Sequence, residues 1–168
     1  REAGILLRRQ AVLFRASTHS APLELELTRR GVPFVKYGGL RFLEAAHVKD
    51  LLSVLRWADN PGSRLAAQRV ARLVPGMGPA SVARLLTHGG PLQTYKPPSA
   101  AAQPWASLVS LMEQLRDGRL RWPADLDLVL AWYQPHLERL HDDARVRLAD
   151  LQQLQHIARG HASRERFV

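Results

Sequence analysis

The sequence predicts a mainly α-helical protein with a small α/β piece, two short parallel strands and a crossover helix, at residues 1–40. Apolar residues recur at helical spacing through most of residues 41–168, whereas short strand-like apolar runs occur only before Gly39. A stretch rich in glycine, proline, alanine and serine at residues 89–104 predicts a surface loop within the helical part. We therefore expect two domains, residues 1–40 and 41–168.

The α/β piece is predicted from three consecutive patterns. Residues 11–14 have the composition of a short buried strand that ends at Arg15, and residues 32–37 predict a second strand. Between them, Pro22 opens an amphipathic helix that Gly31 ends. A helix that joins two strands over so short a distance favours a parallel pair. The arginine then lies at the sheet edge where open α/β sheets bind ligands.

The helical part is predicted to contain six helices. Ser63 and Asp143 are candidate N-caps, and Pro135 should kink or interrupt the fifth helix. The helices are predicted at residues 41–59, 63–74 and 80–87, from Trp105 to Gly118, from Pro123, and from Asp143 to Gly160.

Composition limits the possible function. The 168 residues are 46% hydrophobic, which excludes a disordered basic tail, and no apolar run approaches the ~20 residues that span a bilayer. We therefore expect no membrane partner. The absence of cysteine excludes disulfides and thiolate metal sites and suits a reducing cytoplasm. The net charge of +9, mostly from arginine, suits a phosphate-facing surface, although codon bias would give the same composition.

An ordered series of short motifs occupies residues 12–61. It consists of Val12-Leu13-Phe14-Arg15, Ser20, Leu23-Glu24, Gly31-Val32-Pro33-Phe34, Gly38-Gly39, Phe42, Lys49-Asp50, Leu55-Arg56 and Asn60-Pro61. The series resembles motif IV and the region after it in the UvrD/PcrA/Rep group of superfamily 1 DNA helicases. The resemblance implies an internal piece of a helicase, namely the start of motor domain 2A followed by the inserted, helical 2B domain.

The resemblance gives Arg15 a catalytic role, because the motif IV arginine reaches the γ-phosphate of ATP bound between two motor domains. A guanidinium suits this role, since it donates two parallel hydrogen bonds to phosphate oxygens. The residues alone also allow a surface arginine at a strand end. Ser20 and Glu24 belong to the same motif, but a helix N-cap and a solvated acid explain them equally well.

The resemblance also implies ATP and Mg as cofactors of the parent enzyme. The chain contains no G-x-x-x-x-G-K-[ST] phosphate loop, so this fragment should neither hold the nucleotide nor hydrolyse it alone.

A first candidate DNA contact is the turn at Gly38-Gly39. The turn leads into a helix whose free N–H groups suit a phosphate, with Lys36, Arg41 and Lys49 nearby. In helicases of this group the corresponding region lies near the DNA path. The alternative is a turn that only requires positive φ.

A second candidate DNA contact is the helix-hairpin-helix-like element at residues 73–86. The glycines of Gly76-Met77-Gly78 allow a sharp bend that exposes N–H groups to a phosphate, with Ser81 and Arg84 alongside. Such contacts are independent of base sequence and weaken with salt. In the helicase group a Gly-x-Gly element of the 2B domain grips duplex here. A simple interhelical turn is the alternative.

No metal site is predicted. His136 with His141, and His156 with His161, are five residues apart and point to different helix faces. The expected partners are DNA at a junction of single strand and duplex, the rest of the helicase motor, and a second copy through unpaired strand edges.

Two other functions compete with the helicase interpretation. A stand-alone, non-enzymatic helix-hairpin-helix module would use the hairpin turn to bind DNA. A helix-hairpin-helix DNA glycosylase fits poorly, because no lysine or aspartate lies at the expected distance beyond the turn.

Overall fold

The computed structural model describes residues 4–15, 19–36 and 42–167, and these contain eight α-helices. The mainly helical prediction is confirmed. The helices are α1 (Ala21–Arg29), α2 (Ala46–Asp59), α3 (Arg64–Leu73), α4 (Pro79–Thr87), α5 (Ala102–Arg116), α6 (Ala124–Leu140), α7 (Ala144–Ala158) and α8 (Arg164–Phe167). Short 3-10 helices occur at Leu7–Arg9, Phe42–Glu44, Leu92–Thr94 and Ser99–Ala101. None of the helices in the described ranges is both long and apolar enough to span a bilayer.

Helix α2 lies at the centre of the fold. It packs against α3, α5, α6 and α7, and Val48, Leu51 and Leu55 have no exposed surface. A helix that is buried on most sides must also bury some polar groups, which then need partners. Asp50 meets this requirement, because its carboxylate accepts hydrogen bonds from Arg69 Nε at 2.5 Å and from the Tyr133 hydroxyl at 2.9 Å. The pair of bonds joins α2 to α3 and α6.

Helix α1 ends as the sequence predicts. Gly31 has φ +62°, its N–H donates to Thr28 O at 3.0 Å, and Val32 N–H donates to Leu27 O at 2.9 Å. This is the Schellman arrangement, in which a glycine in the left-handed region satisfies the last carbonyls of a helix. Pro22 lies in the first turn of α1, as expected.

The two predicted strands are absent from the part of the chain that the structure describes. Residues 11–14 are exposed, with Leu13 94% accessible, so they do not form a buried strand. Residues 32–36 alternate between half-buried and exposed, as in a strand, but they form no ladder. The physical reason is that an extended segment becomes a strand only beside a partner, and an isolated pair is marginal in water. Pairing with a second copy stays a prediction.

Two predictions for the helical part need correction. The predicted surface loop, residues 89–104, contains two 3-10 helices and the first residues of α5, with Tyr95 and Ala101 buried. The polar and proline-rich composition of this stretch gave no indication that these two residues are buried. Pro135 does not interrupt α6, which runs on to Leu140, while the predicted kink stays a prediction. The proline removes one backbone donor, and the tertiary packing of the helix outweighs this loss.

The predicted domain boundary near residue 40 stays a prediction. Helix α1 packs against the 3-10 helix Phe42–Glu44 and against α7, so contacts extend across the boundary. Ser63 and Asp143 occupy the predicted N-cap positions, although neither side chain caps its helix by a hydrogen bond.

Candidate nucleotide and DNA contact sites

The candidate catalytic residue Arg15 lies on the surface. Its side chain is exposed, and it forms no hydrogen bond or ion pair with any residue in the described ranges. A guanidinium without a protein partner keeps all its donors for an external anion.

Glu24, nine residues after Arg15 in the same motif, is buried rather than solvated. It is 4% exposed and accepts hydrogen bonds from Ser20 Oγ at 2.5 Å, Lys36 Nζ at 2.8 Å and Phe42 N–H at 2.8 Å. The solvated-acid interpretation is therefore wrong. Ser20 occupies the N-cap position of α1, but its hydroxyl bonds to Glu24 instead of capping the helix.

The first predicted DNA contact is only partly described. Gly38, Gly39 and Arg41 lie outside the described residues. Lys49 is exposed on α2. The side chain of Lys36 is 8% exposed and pairs with Glu24, so a contact between Lys36 and DNA would require this buried pair to open.

The second predicted DNA contact is a turn between two packed helices, α3 and α4. Gly78 is the N-cap residue of α4, and Val82 N–H, which donates to Gly78 O at 3.0 Å, makes the first bond of that helix. The N–H groups of Ala80 and Ser81 consequently have no acceptor within the helix. Residues 78–80 are exposed, and a Cβ at Gly78 would meet no atom within 4 Å. An anion can therefore approach this helix end.

Gly76 differs from Gly78 in its surroundings. It has φ +82°, and a Cβ there would lie 2.8 Å from Ala100 C and Ala101 N. Its backbone packs against the 3-10 helix Ser99–Ala101, which therefore supports the turn directly. Met77 and Ser81 are also buried, at 6% and 7% exposure. Gly76 and Met77 shape the turn, whereas residues 78–80 are exposed.

Tyr95, which precedes this 3-10 helix, connects the segment to α4. Its hydroxyl donates to Ser81 O at 2.7 Å, and its ring packs on Trp105 with centroids 5.1 Å apart. Because this bond reaches the first turn of α4, it fixes the helix end at which the free N–H groups lie.

The hairpin that α3, the turn at Gly76-Met77-Gly78 and α4 form has positively charged surroundings. Residues 60–112 contain five arginines and lysines and no aspartate or glutamate. One of them, Arg69, pairs with Asp50, and the others are exposed: Arg64, Arg72, Arg84 and Lys96. This run without acidic residues is visible in the sequence, and it is a signal for an anionic partner that motif analysis missed.

A surface cavity of about 390 Å³ lies at the opposite end of the hairpin, beside Arg64 and Arg116. Arg116 donates to the carbonyl oxygens of Trp57 and Ala58, and Arg64 donates to Leu86 O. These guanidinium groups cap helix ends, and we assign no ligand to the cavity. No group of three or more His, Asp or Glu side chains within the described ranges could hold a metal ion.

Comparison with known proteins covers mainly the first half of the chain. The profile of the family described as UvrD-like helicase C-terminal domain matches residues 2–94. The ATP-dependent DNA helicase UvrD1 of Mycobacterium bovis is 38% identical over 60 residues, which is 36% of this chain and 8% of the relative. The ATP-dependent DNA helicase PcrA of Staphylococcus epidermidis is 33% identical over 79 residues, 46% of this chain and 11% of the relative.

The PcrA helicase of Staphylococcus aureus gives a similar match, 33% identity over 76 residues, which is 45% of this chain and 10% of the relative. The chain thus matches only 8–11% of the length of these relatives. No solved structure matches the chain.

Proposed function

Because the chain belongs to the UvrD-like helicase C-terminal domain family, we propose that it is part of an ATP-dependent DNA helicase. In this enzyme Arg15 contacts the terminal phosphate of ATP, and the hairpin from Gly78 to Arg84 contacts duplex DNA. The main support is the family match over residues 2–94, a range that includes both features. The relatives, of which the chain matches about a tenth, are named ATP-dependent DNA helicases.

The proposed nucleotide role of Arg15 follows from its chemistry and exposure. A guanidinium aimed at a phosphate stabilises the charge that develops as the terminal phosphoryl group is transferred. Since the chain has no phosphate loop, ATP and its Mg ion would be held by other parts of the parent protein. Arg15 would then act only when those parts are present, and the chain would have no activity alone.

The proposed DNA role of the hairpin follows from donors and charge. The N–H groups of Ala80 and Ser81 would bind a backbone phosphate, with Arg84 beside them, and Lys49 would add a further cation. The turn at Gly38, Gly39 and Arg41 is proposed as a second contact on the family resemblance alone. Because phosphates lack base identity, binding would be independent of sequence. We propose a junction between single strand and duplex as the substrate.

The nucleotide role is tested by Arg15→Ala in the parent helicase. We expect ATP to bind nearly as before, while hydrolysis slows by about 2–4 kcal/mol in the barrier, the effect of losing one charge-stabilising donor. Arg9→Ala is the matched control, because Arg9 is another exposed arginine in the same segment. Undiminished turnover in the Arg15 variant would contradict the assignment of this role to Arg15.

A further inference from the structure

The exposed tip of the hairpin, residues 78–80, is flanked by two contacts with one distant segment, residues 95–101. Gly76, before the tip, packs against the backbone of this segment. Ser81, after the tip, accepts a hydrogen bond from the Tyr95 hydroxyl at its carbonyl oxygen, at 2.7 Å. We propose that Tyr95 is a positioning residue, which holds the N–H groups of the tip in place for a DNA phosphate. The proposal rests on the DNA role proposed for the hairpin.

The segment that contacts the hairpin has a restricted backbone. Tyr95 has φ −70° and ψ 130°, and Pro98 has φ −56° and ψ 151°, which are values of the polyproline II conformation. Pro97 and Pro98 restrict φ in the unfolded chain as well, so little entropy is lost when the segment orders. Ala101, at its end, has no exposed surface. The segment is therefore anchored in the core and suited to support a surface turn.

The Tyr95 side chain is held from two sides. Its ring is 7% exposed; it packs on Trp105 of α5 and edge-on against His88, with ring centroids 5.1 and 5.6 Å apart. His88 is the C-cap residue of α4, and Ser81 lies in the first turn of the same helix. Because a buried phenol hydroxyl needs a hydrogen-bond partner, the hydroxyl and the Ser81 carbonyl restrain each other.

A restrained tip has an advantage in binding an anion. The N–H groups of Ala80 and Ser81 have no acceptor within α4. A turn that becomes ordered only on binding loses part of the interaction energy to conformational entropy, whereas a turn that is already ordered does not. Tyr95 lies just beyond residues 2–94, the range that the family profile matches. The support of the tip thus comes from a part of the chain outside that match.

Tyr133 provides a matched control. Its hydroxyl is also buried, and it donates to Asp50 Oδ2 at 2.9 Å, a bond that joins α6 to α2. Tyr133→Phe removes the same atom as Tyr95→Phe and should destabilise the protein at least as much, because its acceptor is charged. The bond to Ser81 stays intact in this variant.

The test is the affinity of the 168-residue chain for a DNA duplex with a single-stranded tail. For Tyr95→Phe we expect about three- to tenfold weaker binding, the effect of one hydrogen bond. The slope of log K against log salt should not change, because no cation is lost. For Tyr133→Phe we expect no change in affinity. Equal affinities of the two variants, or a slope in Tyr95→Phe that falls as in Arg84→Glu, would overturn the positioning role.

The outcomes separate this proposal from the DNA role of the hairpin. If Arg84→Glu leaves the affinity and its salt dependence unchanged, that DNA role fails. If Arg84→Glu weakens binding while Tyr95→Phe and Tyr133→Phe bind alike, only the positioning role of Tyr95 is overturned. Circular dichroism of each variant shows whether weaker binding reflects unfolding.

A second measurement applies even if Tyr95→Phe impairs folding. In the unaltered chain the NMR order parameters of the Ala80 and Ser81 amides should be about 0.85, the value for rigid backbone, although residues 78–80 are exposed. Values below about 0.6, which are those of flexible backbone, would show that residues 95–101 do not hold the tip, and the proposal would be overturned.

Discussion

Two regions differ in the exposure of their apolar side chains: a first region, the segments on either side of α1 at residues 4–15 and 32–36, and the helical region, residues 42–167. In the first region Leu13 and Val35 are 94% and 70% exposed, whereas Leu51 and Leu55 on α2 are completely buried. A helix satisfies its own backbone and needs only a packed face, while a strand also needs a neighbouring strand. The helical region thus has a packed core, whereas the apolar side chains of the first region remain at the surface.

The largest expected effect separates the two regions directly. Leu51→Ala should lower the free energy of unfolding by about 2–5 kcal/mol, because it leaves a cavity beneath a central helix. Leu13→Ala should change it by less than about 0.5 kcal/mol, since the side chain is already in water. Chemical denaturation of the 168-residue chain measures both. A comparable loss from Leu13→Ala would mean that the first region has a packed core after all.

The next effect tests the support beneath the hairpin. Gly76→Ala should cost about 2–4 kcal/mol of unfolding free energy, because its Cβ would overlap the backbone at Ala100 and the φ of +82° strains any residue with a side chain. Gly78→Ala is the control, and it should cost no more than about 1 kcal/mol, the effect of a weaker N-cap. Equal losses in denaturant titrations would disprove the close packing of Gly76 on this segment.

The smallest effect concerns the pH dependence of the helical region. His47 on α2 is 3% exposed, and its ring lies 3.1 Å from Asp150 Oδ2 and 3.2 Å from Arg147 Nη1. Burial lowers the pKa of His47; Arg147 and His141 lower it further, and together they outweigh the opposing effect of Asp150.

The sign of the pH dependence follows from this lowered pKa. The unfolded chain binds a proton at His47 more readily than the folded chain does. The free energy of unfolding is therefore not reduced by this group above about pH 6.5, and it falls as the pH drops below that value. We expect unfolding free energies measured from pH 8 to 5 to decline less steeply in His47→Gln than in the original chain. His156→Gln, at an exposed position, should not alter the slope. An unaltered slope in His47→Gln would refute the prediction.

The sequence predicted those features that depend on local patterns. Helical periodicity located α2 to α7, and Gly31 marked the end of α1, because a left-handed glycine suffices to terminate a helix. The short helix α8 was not predicted, since its four residues are too few to show a period.

The remaining features depend on residues that are distant in the sequence. Asp50 accepts a hydrogen bond from Tyr133, 83 residues away, and Glu24 accepts one from the backbone of Phe42, 18 residues away. Periodicity cannot reveal such pairs, so Glu24 could not be distinguished from a solvated acid. Likewise, no local pattern indicated that Tyr95 packs beneath the hairpin. The prediction of two strands was wrong for the same reason, because the stability of a strand depends on neighbouring strands and not on its own residues alone.

The proposed contact between the hairpin and DNA is tested most directly by the salt dependence of binding to a junction of single strand and duplex. Arg84→Glu should weaken binding and reduce the slope of log K against log salt by about 0.9, the value for one lost phosphate contact. The control Arg119→Glu makes the same charge change at a side chain that is 88% exposed and follows α5; it should leave that slope unchanged. If both substitutions weaken binding equally, net charge rather than the hairpin determines affinity, and the account is contradicted.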